Sequence, residues 1–478
     1  MPDELGNARP RGGLCSIHML AYSSISEPGT AHSATWPGSA GGTMGIAGNE
    51  LSPPSEARPA NWSRTRGAAT SEALCPNLLV RWAFYLSMFA IPFARLYVPG
   101  SGDRLGVKRV IQAFIFAAML SRPRVCLRFV PVVLLWFLAY CAVRIIAGLW
   151  LAPEYSAMWW PNTLELLEFL LPWLWLLFNL LAYPKFSYRG LWAFAAGVSF
   201  CALLHVLGVG TVEVDNGIDG RSTVFGQNAN EIGEIYGAAL VALIALGLFR
   251  VTTTSLRLLV FPMAGLVAIA LAKTGSRTGA LLSAIGALIL LPQTRAFVPR
   301  IRRYVTLLLV AGVFAAVMYQ IPTVMQRLAP VESSSITQQE ARARMIPVLF
   351  DIFLRKPIFG SGPDKYQYEL TRRAMPYMAE KQQIISAHNL ALWLLVETGL
   401  VGFALLAIPL AKALMAAWRA RSGPCGLLPL AWLLPMTLAG LTISNPIFAS
   451  IFWLALAYSL APHDSMHASP THLTNELS

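Results

Sequence analysis

The chain has 478 residues, of which 55% are apolar or aromatic and only 13% are charged, with a mean hydropathy of +0.54. That charge share is about half of what a soluble domain carries, which excludes a soluble fold, and the apolar content excludes disorder over the bulk of the chain; six cysteines in this length exclude a disulfide scaffold. The net charge of +13 would point to nucleic acid in a soluble protein, but here Lys and Arg sit largely in short loops between apolar runs, where they set topology and call for no nucleic-acid partner.

In chain order, residues 1–76 are rich in Gly, Ser, Ala, Pro and Thr and lack a sustained apolar run, which reads as a disordered cytoplasmic tail. No apolar core followed by a small-residue cleavage site is present, so this is not a secretory signal; Met19 and Met44 leave open a later start. Residues 77–461 read as an all-α polytopic membrane domain, and 462–478 as a short polar cytoplasmic tail. Twelve apolar segments are expected near 78–98, 106–120, 129–151, 163–183, 191–210, 232–249, 258–273, 278–292, 304–320, 389–411, 427–443 and 446–460. Several fall short of the roughly 20 residues that a perpendicular span needs, and 106–120 and 278–292 borrow flanking residues to reach across.

Orientation follows from the basic residues. The loop after the second segment carries Arg122, Arg124 and Arg128. Later even loops carry Lys185 and Arg189, Arg250 and Arg257, then Arg295, Arg300, Arg302 and Arg303, and finally Lys412, Arg419 and Arg421. The odd loop at 152–162 has none. The even loops and both tails are therefore cytoplasmic. The first outer loop, with Arg104, Lys108 and Arg109, runs against this pattern and is outvoted.

Two outer loops are long, at about 211–231 and 321–388. In the second, Thr337-Gln-Gln-Glu340 reads as a capping box opening a helix, with Met345, Leu349 and Phe353 recurring on one face and Pro347 kinking it. Gly360-Ser-Gly-Pro363 ends that helix in a turn, and a more polar helix follows over Lys365–Glu380. No CxxC or Cys/His metal spacing occurs.

Chemistry-bearing residues gather on the outer side. Arg221 precedes Thr223-Val-Phe-Gly-Gln-Asn-Ala-Asn230-Glu231; a solvated loop with an Asn-rich helix cap and a guanidinium held for a phosphate oxyanion are both compatible with it. Arg277 sits in Lys273-Thr-Gly-Ser-Arg-Thr-Gly279, where two apolar segments meet with almost no loop. The glycines permit a tight turn, which fixes the arginine near a helix N-terminus, a place that favours an anion; the alternative is a snorkelling anchor. His388, where the large loop re-enters the membrane, suits a general base. Glu397 reads as an ion-pair partner for one of these arginines or as a brace. Arg342 and Arg344 on the loop helix face either the site or solvent, and Asn230 joins them and Glu397 as candidates for substrate contact. Arg144 with Glu165 and Glu168 reads as a structural intramembrane pair, and His205 as a satisfied core histidine.

At these residues the chain resembles the O-antigen ligase and polymerase superfamily of bacterial envelope enzymes. The resemblance is carried by Arg221 with Phe225-Gly-Gln-Asn-Ala-Asn-Glu231, by Thr274-Gly-Ser-Arg-Thr-Gly279, by Lys356-Pro-Ile-Phe-Gly-Ser-Gly-Pro363, and by His388-Asn-Leu with Glu397-Thr-Gly-Leu-Val-Gly402, in that order over roughly 220–410. It implies a GT-C-like membrane fold of about twelve helices in the bacterial inner membrane, with a large helical loop and an active site facing the periplasm. The implied activity is metal-independent inverting glycosyl transfer, without a cofactor. The donor is a glycan on undecaprenyl pyrophosphate, and the acceptor is a sugar hydroxyl of lipid A-core (ligase) or of another lipid-linked glycan (polymerase), the polyprenyl tail remaining among the membrane lipids. By position, Arg221 and Arg277 correspond to the arginines that hold the pyrophosphate and His388 to the histidine that assists the acceptor. Pro347 departs from the uninterrupted loop helix that the family suggests. A solute transporter is the competing class; the chain shows no internal repeat and no matching pair of broken segments in two halves.

Overall fold

The computed structural model describes residues 76–96, 106–128, 130–213, 222–248, 254–291, 334–374, 387, 389–422, 426–441 and 449–461. The first helices are α1 (Leu78–Phe89), extended by a tight turn at Ile91–Phe93, then α2 (Val107–Ser121), α3 (Pro123–Cys126) and α4 (Val132–Leu151). There follow α5 (Ser156–Glu165), a π-helical turn at Leu166–Leu170, α6 (Leu171–Leu181) and α7 (Pro184–Val206). A short hairpin of β1 (Thr211–Glu213) and β2 (Ser222–Val224) leads into α8 (Ala229–Leu248), α9 (Thr254–Thr274) and α10 (Arg277–Leu290). The large loop holds α11 (Ser334–Arg355) and α12 (Lys365–Ala374), and the chain closes with α13 (Leu390–Arg419), α14 (Leu428–Gly440) and α15 (Ser450–Leu460).

Among the described residues, five helices are long and apolar enough to cross a membrane: Val132–Leu151, Pro153–Leu181, Lys185–Val206, Ala229–Leu248 and Leu390–Arg419. Five shorter apolar helices accompany them. All but the ninth of the expected apolar segments coincide with helices; that one, 304–320, lies outside the described residues. The helix α8 is apolar on all sides and rich in Ala and Gly, the pattern of a buried span whose neighbours approach closely. It packs against α7, α9, α10 and α14, and the Trp432 indole on α14 donates to the Ala238 carbonyl at 2.8 Å.

Three expectations are corrected. The fold is mostly helical but not purely so: β1 pairs antiparallel with β2, Thr211 opposite Val224. The large-loop helix opens at Ser334, so Thr337 lies inside it and does not cap it; Pro347 lies within the same helix, which runs on to Arg355. The expected pairing of Arg144 with Glu165 and Glu168 does not form, for the reason given below.

Candidate functional site

The turn between α9 and α10 is built for tightness. Gly275 takes a φ of +59°, the left-handed region that glycine adopts without strain. Ser276 caps α10, its side chain accepting from the Gly279 N–H at 3.2 Å. The Ser276 N–H in turn donates to Thr274 Oγ1 at 3.1 Å. Arg277 is thereby the first residue of α10, and its side chain is exposed. Lys273 is drawn the other way, donating to the Val206 carbonyl at 3.2 Å at the end of α7.

Helix α8 lies parallel to α10 at backbone contact distance. A Cβ at Gly233 would collide with Ser276, one at Gly237 with the Gly279 carbonyl, and one at Gly279 with the Gly233 carbonyl. Farther along, a Cβ at Gly286 would meet Val241. The numbers rise together along both helices, so the two N-termini emerge side by side. Each brings about half a positive charge to that end of the bundle, and Arg277 adds a full one. At the start of α8, Asn228 Oδ1 accepts from the N–H of Asn230 at 2.9 Å, and Asn230 is half-buried in the first turn. Arg95, just past α1, pairs with Glu231 at 2.9 Å; it escaped the sequence reading because it stands alone at the end of an apolar run.

The segment before α8 is anchored to the bundle. Gln227 donates through its side chain to the Pro92 carbonyl, and Phe225 packs on Phe93 with ring centroids 5.7 Å apart. His205 is the satisfied core histidine expected of it: Nε2 lies 2.9 Å from Ser222 Oγ and Nδ1 lies 3.2 Å from the Tyr236 hydroxyl. Ser222 opens the strand that follows Arg221. Both Arg221 and His388 lie outside the described residues.

The large loop meets the membrane helices at a joint made by two of the four motifs. Helix α13 is broken at Gly399, where φ is +67°. The carbonyls of Val396 and Glu397 accept from the N–H groups of Ser361 and Gly362 at 2.8 and 3.1 Å. The N–H groups of Leu400 and Val401 donate to the carbonyls of Pro357 and Ile358 at 2.8 and 3.2 Å. The loop thus satisfies backbone groups that a break in an apolar helix would otherwise orphan. Glycines are required on both sides: a Cβ at Gly360 would press on the Glu397 backbone, and one at Gly399 on the Ile358 carbonyl.

A buried charge cluster locks this joint. Arg144 on α4 donates to Glu397 Oε1 at 2.6 Å and to Thr163 Oγ1 at 3.0 Å. Its second terminal nitrogen lies 3.7 Å from Asp364 Oδ2. The Asp364 N–H donates to the same Glu397 oxygen at 3.1 Å. Arg144 and Glu397 are completely buried, and so, nearly, is Asp364. Tyr366 is buried beside them, and that burial, helped by the negative charges of Glu397 and Asp364, pushes its phenol well above its ordinary range. Lys365 adds a tie to the end of α4, donating to the Leu151 carbonyl at 2.9 Å and to Glu154 at 2.8 Å.

The sequence reading placed Arg144 at the depth of Glu165 and Glu168, but depth does not say which way a side chain faces. Thr163 points at Arg144, and a residue two positions on lies roughly 200° around the helix. Glu165 therefore faces α2, where it pairs with Lys108, and Glu168 pairs with Arg109 at 2.7 Å. These two pairs also account for the basic residues that ran against the orientation pattern, since each is matched by a carboxylate; Arg104 lies outside the described residues. Glu397 is bound to Arg144, so it is a brace of the loop joint. The backbone of Arg342 and Arg344 lies in α11, and their side chains lie outside the described residues. Asp364 was missed; its signal was its place directly after Gly360-Ser-Gly-Pro363.

Residues 262–407, just under a third of the chain, match a family model described as O-antigen ligase. The matched range takes in the Arg277 turn, both halves of the loop joint and His388; Arg221 and the Phe225–Glu231 motif precede it. No curated protein matches the chain.

Proposed function

We propose that this O-antigen ligase-related membrane protein is a glycosyltransferase that moves a glycan from undecaprenyl pyrophosphate to a sugar hydroxyl of lipid A-core at the periplasmic face of the inner membrane. The observation that supports this most is the pair of parallel helix N-termini, α8 and α10, with Arg277 on the first turn of one of them. Such a place favours a phosphate group on two counts: two aligned helix dipoles and a planar guanidinium.

In the proposed reaction the acceptor oxygen attacks the anomeric carbon from the face opposite the leaving group. The bond from that carbon to the pyrophosphate oxygen breaks, and the configuration inverts. The acceptor proton passes to the imidazole of His388, and undecaprenyl pyrophosphate departs with the bonding electron pair. Arg277 and Arg221 stabilise the negative charge that grows on the pyrophosphate. Asn230 stands on the same first turn of α8 as Glu231, the partner of Arg95, and is the candidate amide for a sugar hydroxyl. Arg342 and Arg344, on the large loop, are the candidate contacts to the rest of the glycan or to the acceptor.

The ligase reading and the polymerase reading share this chemistry and differ in the acceptor. Lipopolysaccharide from a strain lacking the gene separates them. Rough core with lipid-linked polymer retained is the ligase outcome, and a single repeat on the core is the polymerase outcome. Lipopolysaccharide and exopolysaccharide of unchanged length and amount would overturn the proposal.

A further inference from the structure

One helix of the large loop has more apolar surface than the protein covers. On α11, Met345, Leu349 and Ile352 are buried against the rest of the chain. Ile346, Phe350 and Leu354 are not: with Ile358 and Phe359 just beyond the helix, they form a ridge in which each side chain is between 46% and 58% exposed. At 3.6 residues per turn, the buried set and the exposed apolar set are centred roughly 130° apart. The remaining sector holds Asp351 and Arg355, paired at 2.9 Å, and Arg373 of α12 reaches the same carboxylate at 2.7 Å. The helix therefore has three faces, one against protein, one apolar and uncovered, and one charged.

An amphipathic helix in water needs two faces. A third, apolar face of several large side chains is costly in water and is the signature of an interaction surface. Its continuation says what it meets. The ridge runs through Ile358, whose carbonyl accepts from Val401, and past Pro357, whose carbonyl accepts from Leu400. Leu400 is itself half exposed, on a helix long and apolar enough to cross the membrane. The uncovered face of α11 is thus continuous with the lipid-facing surface of α13.

We propose that α11 lies in the plane of the membrane surface, with Ile346, Phe350, Leu354, Ile358 and Phe359 sunk into the boundary between headgroups and acyl chains. Helices of this kind bury their apolar side by about 5–10 Å. The occupant of the ridge is bilayer lipid, and the charged sector of Asp351, Arg355 and Arg373 faces water. The neighbouring Lys356 is exposed, and a lysine beside such a ridge can rest its stem on apolar surface while its amine reaches lipid phosphate. This assignment does not depend on the reaction proposed above.

The test is a nitroxide scan of the full-length protein in nanodiscs of phosphatidylethanolamine and phosphatidylglycerol. All six native cysteines are changed to alanine, and single cysteines are placed at 346, 350, 351, 354, 355 and 358. Labels at 346, 350, 354 and 358 should collide more with oxygen, which partitions into lipid, than with a water-soluble nickel chelate; labels at 351 and 355 should show the reverse. A Phe350→Trp variant, which perturbs packing least, should be quenched by lipids brominated near the headgroup. Nickel access at 350 and 354 equal to that at 351 would overturn the proposal. Protection from both reagents would overturn it in favour of coverage by another part of the chain, and protection lost at one copy per nanodisc would overturn it in favour of a second copy.

Discussion

Removing the guanidinium of Arg144 puts the loop joint to its hardest test. Arg144→Met preserves most of the side-chain volume but takes away the 2.6 Å bond to Glu397, the 3.0 Å bond to Thr163 and the nearby charge facing Asp364 at 3.7 Å. Two carboxylates then remain in a site where Glu397 has no solvent exposure at all. Breaking one partner out of a buried pair costs about 3–5 kcal/mol, most of it the penalty of the charge left behind. Glu397→Gln should cost less, about 1–3 kcal/mol, because the amide oxygen still accepts from Arg144 and from the Asp364 N–H. In the double variant the stranded charge at 397 is gone, so the two losses should not add; a coupling of about 0.5–3 kcal/mol is expected for groups in one network. Unfolding in mixed micelles of rising SDS fraction, followed by tryptophan fluorescence, measures all three. If Arg144→Met unfolds at the wild-type SDS fraction, or if the double variant equals the sum of the singles, the cluster does not hold the joint.

Three further outcomes are expected. Arg277→Lys keeps the charge and loses the planar fork, so transfer should fall by about 10²-fold, and His388→Ala should lower it by roughly 10²–10⁴-fold; wild-type rates at wild-type membrane levels would put the site elsewhere. Gly399→Ala forces a side chain into a backbone at φ +67° and against the Ile358 carbonyl, so it should destabilise by more than about 1 kcal/mol and reduce the protein recovered from membranes, and unchanged recovery with unchanged SDS unfolding would mean that α13 is not broken there. Purified protein should continue to transfer glycan in EDTA; activity that vanishes and returns with a divalent ion would refute leaving-group stabilisation by two arginines.

Much of the bundle was legible because apolar runs in a membrane protein have one dominant meaning. The boundaries of α4, α8 and α10 follow the runs to within a few residues, and the Gly275 and Gly279 spacing anticipated the turn that sets Arg277 at a helix start. His205 was read correctly from its apolar setting alone. What hydropathy does not carry is azimuth. Arg144, Glu165 and Glu168 share a depth, but the path of α5 turns Thr163 to the arginine and the carboxylates to α2. Nor does hydropathy register a break: 389–411 reads as one apolar run, and only the glycine at 399 hints that a loop from about 40 residues earlier completes it. The β-hairpin escaped for a related reason, since three-residue strands leave almost no periodic signal.

The joint also bears on how a histidine outside the described residues would be held for chemistry. Asn389 follows it directly and caps α13, its side chain accepting from the Leu392 N–H at 3.0 Å and donating to the Leu441 carbonyl at 3.0 Å. From that cap to the break at Gly399, α13 is a short rigid block of about two and a half turns. The block is fastened at one end to α14 through Asn389 and at the other to α4 through Glu397 and Arg144. The loop fills the break, so α11 and α12 move with it. On the proposed reaction, the start of this block sets where His388 enters, although Arg144 itself touches neither donor nor acceptor. A loop that only shielded the site would tolerate slack at its root. A loop that carries the base on a block only a few turns long would not, because a displacement of about 1 Å at the base can cost about 10²-fold in rate. The complete burial of a costly ion cluster at that root, where apolar side chains of similar size would pack with less penalty, is what the second design requires.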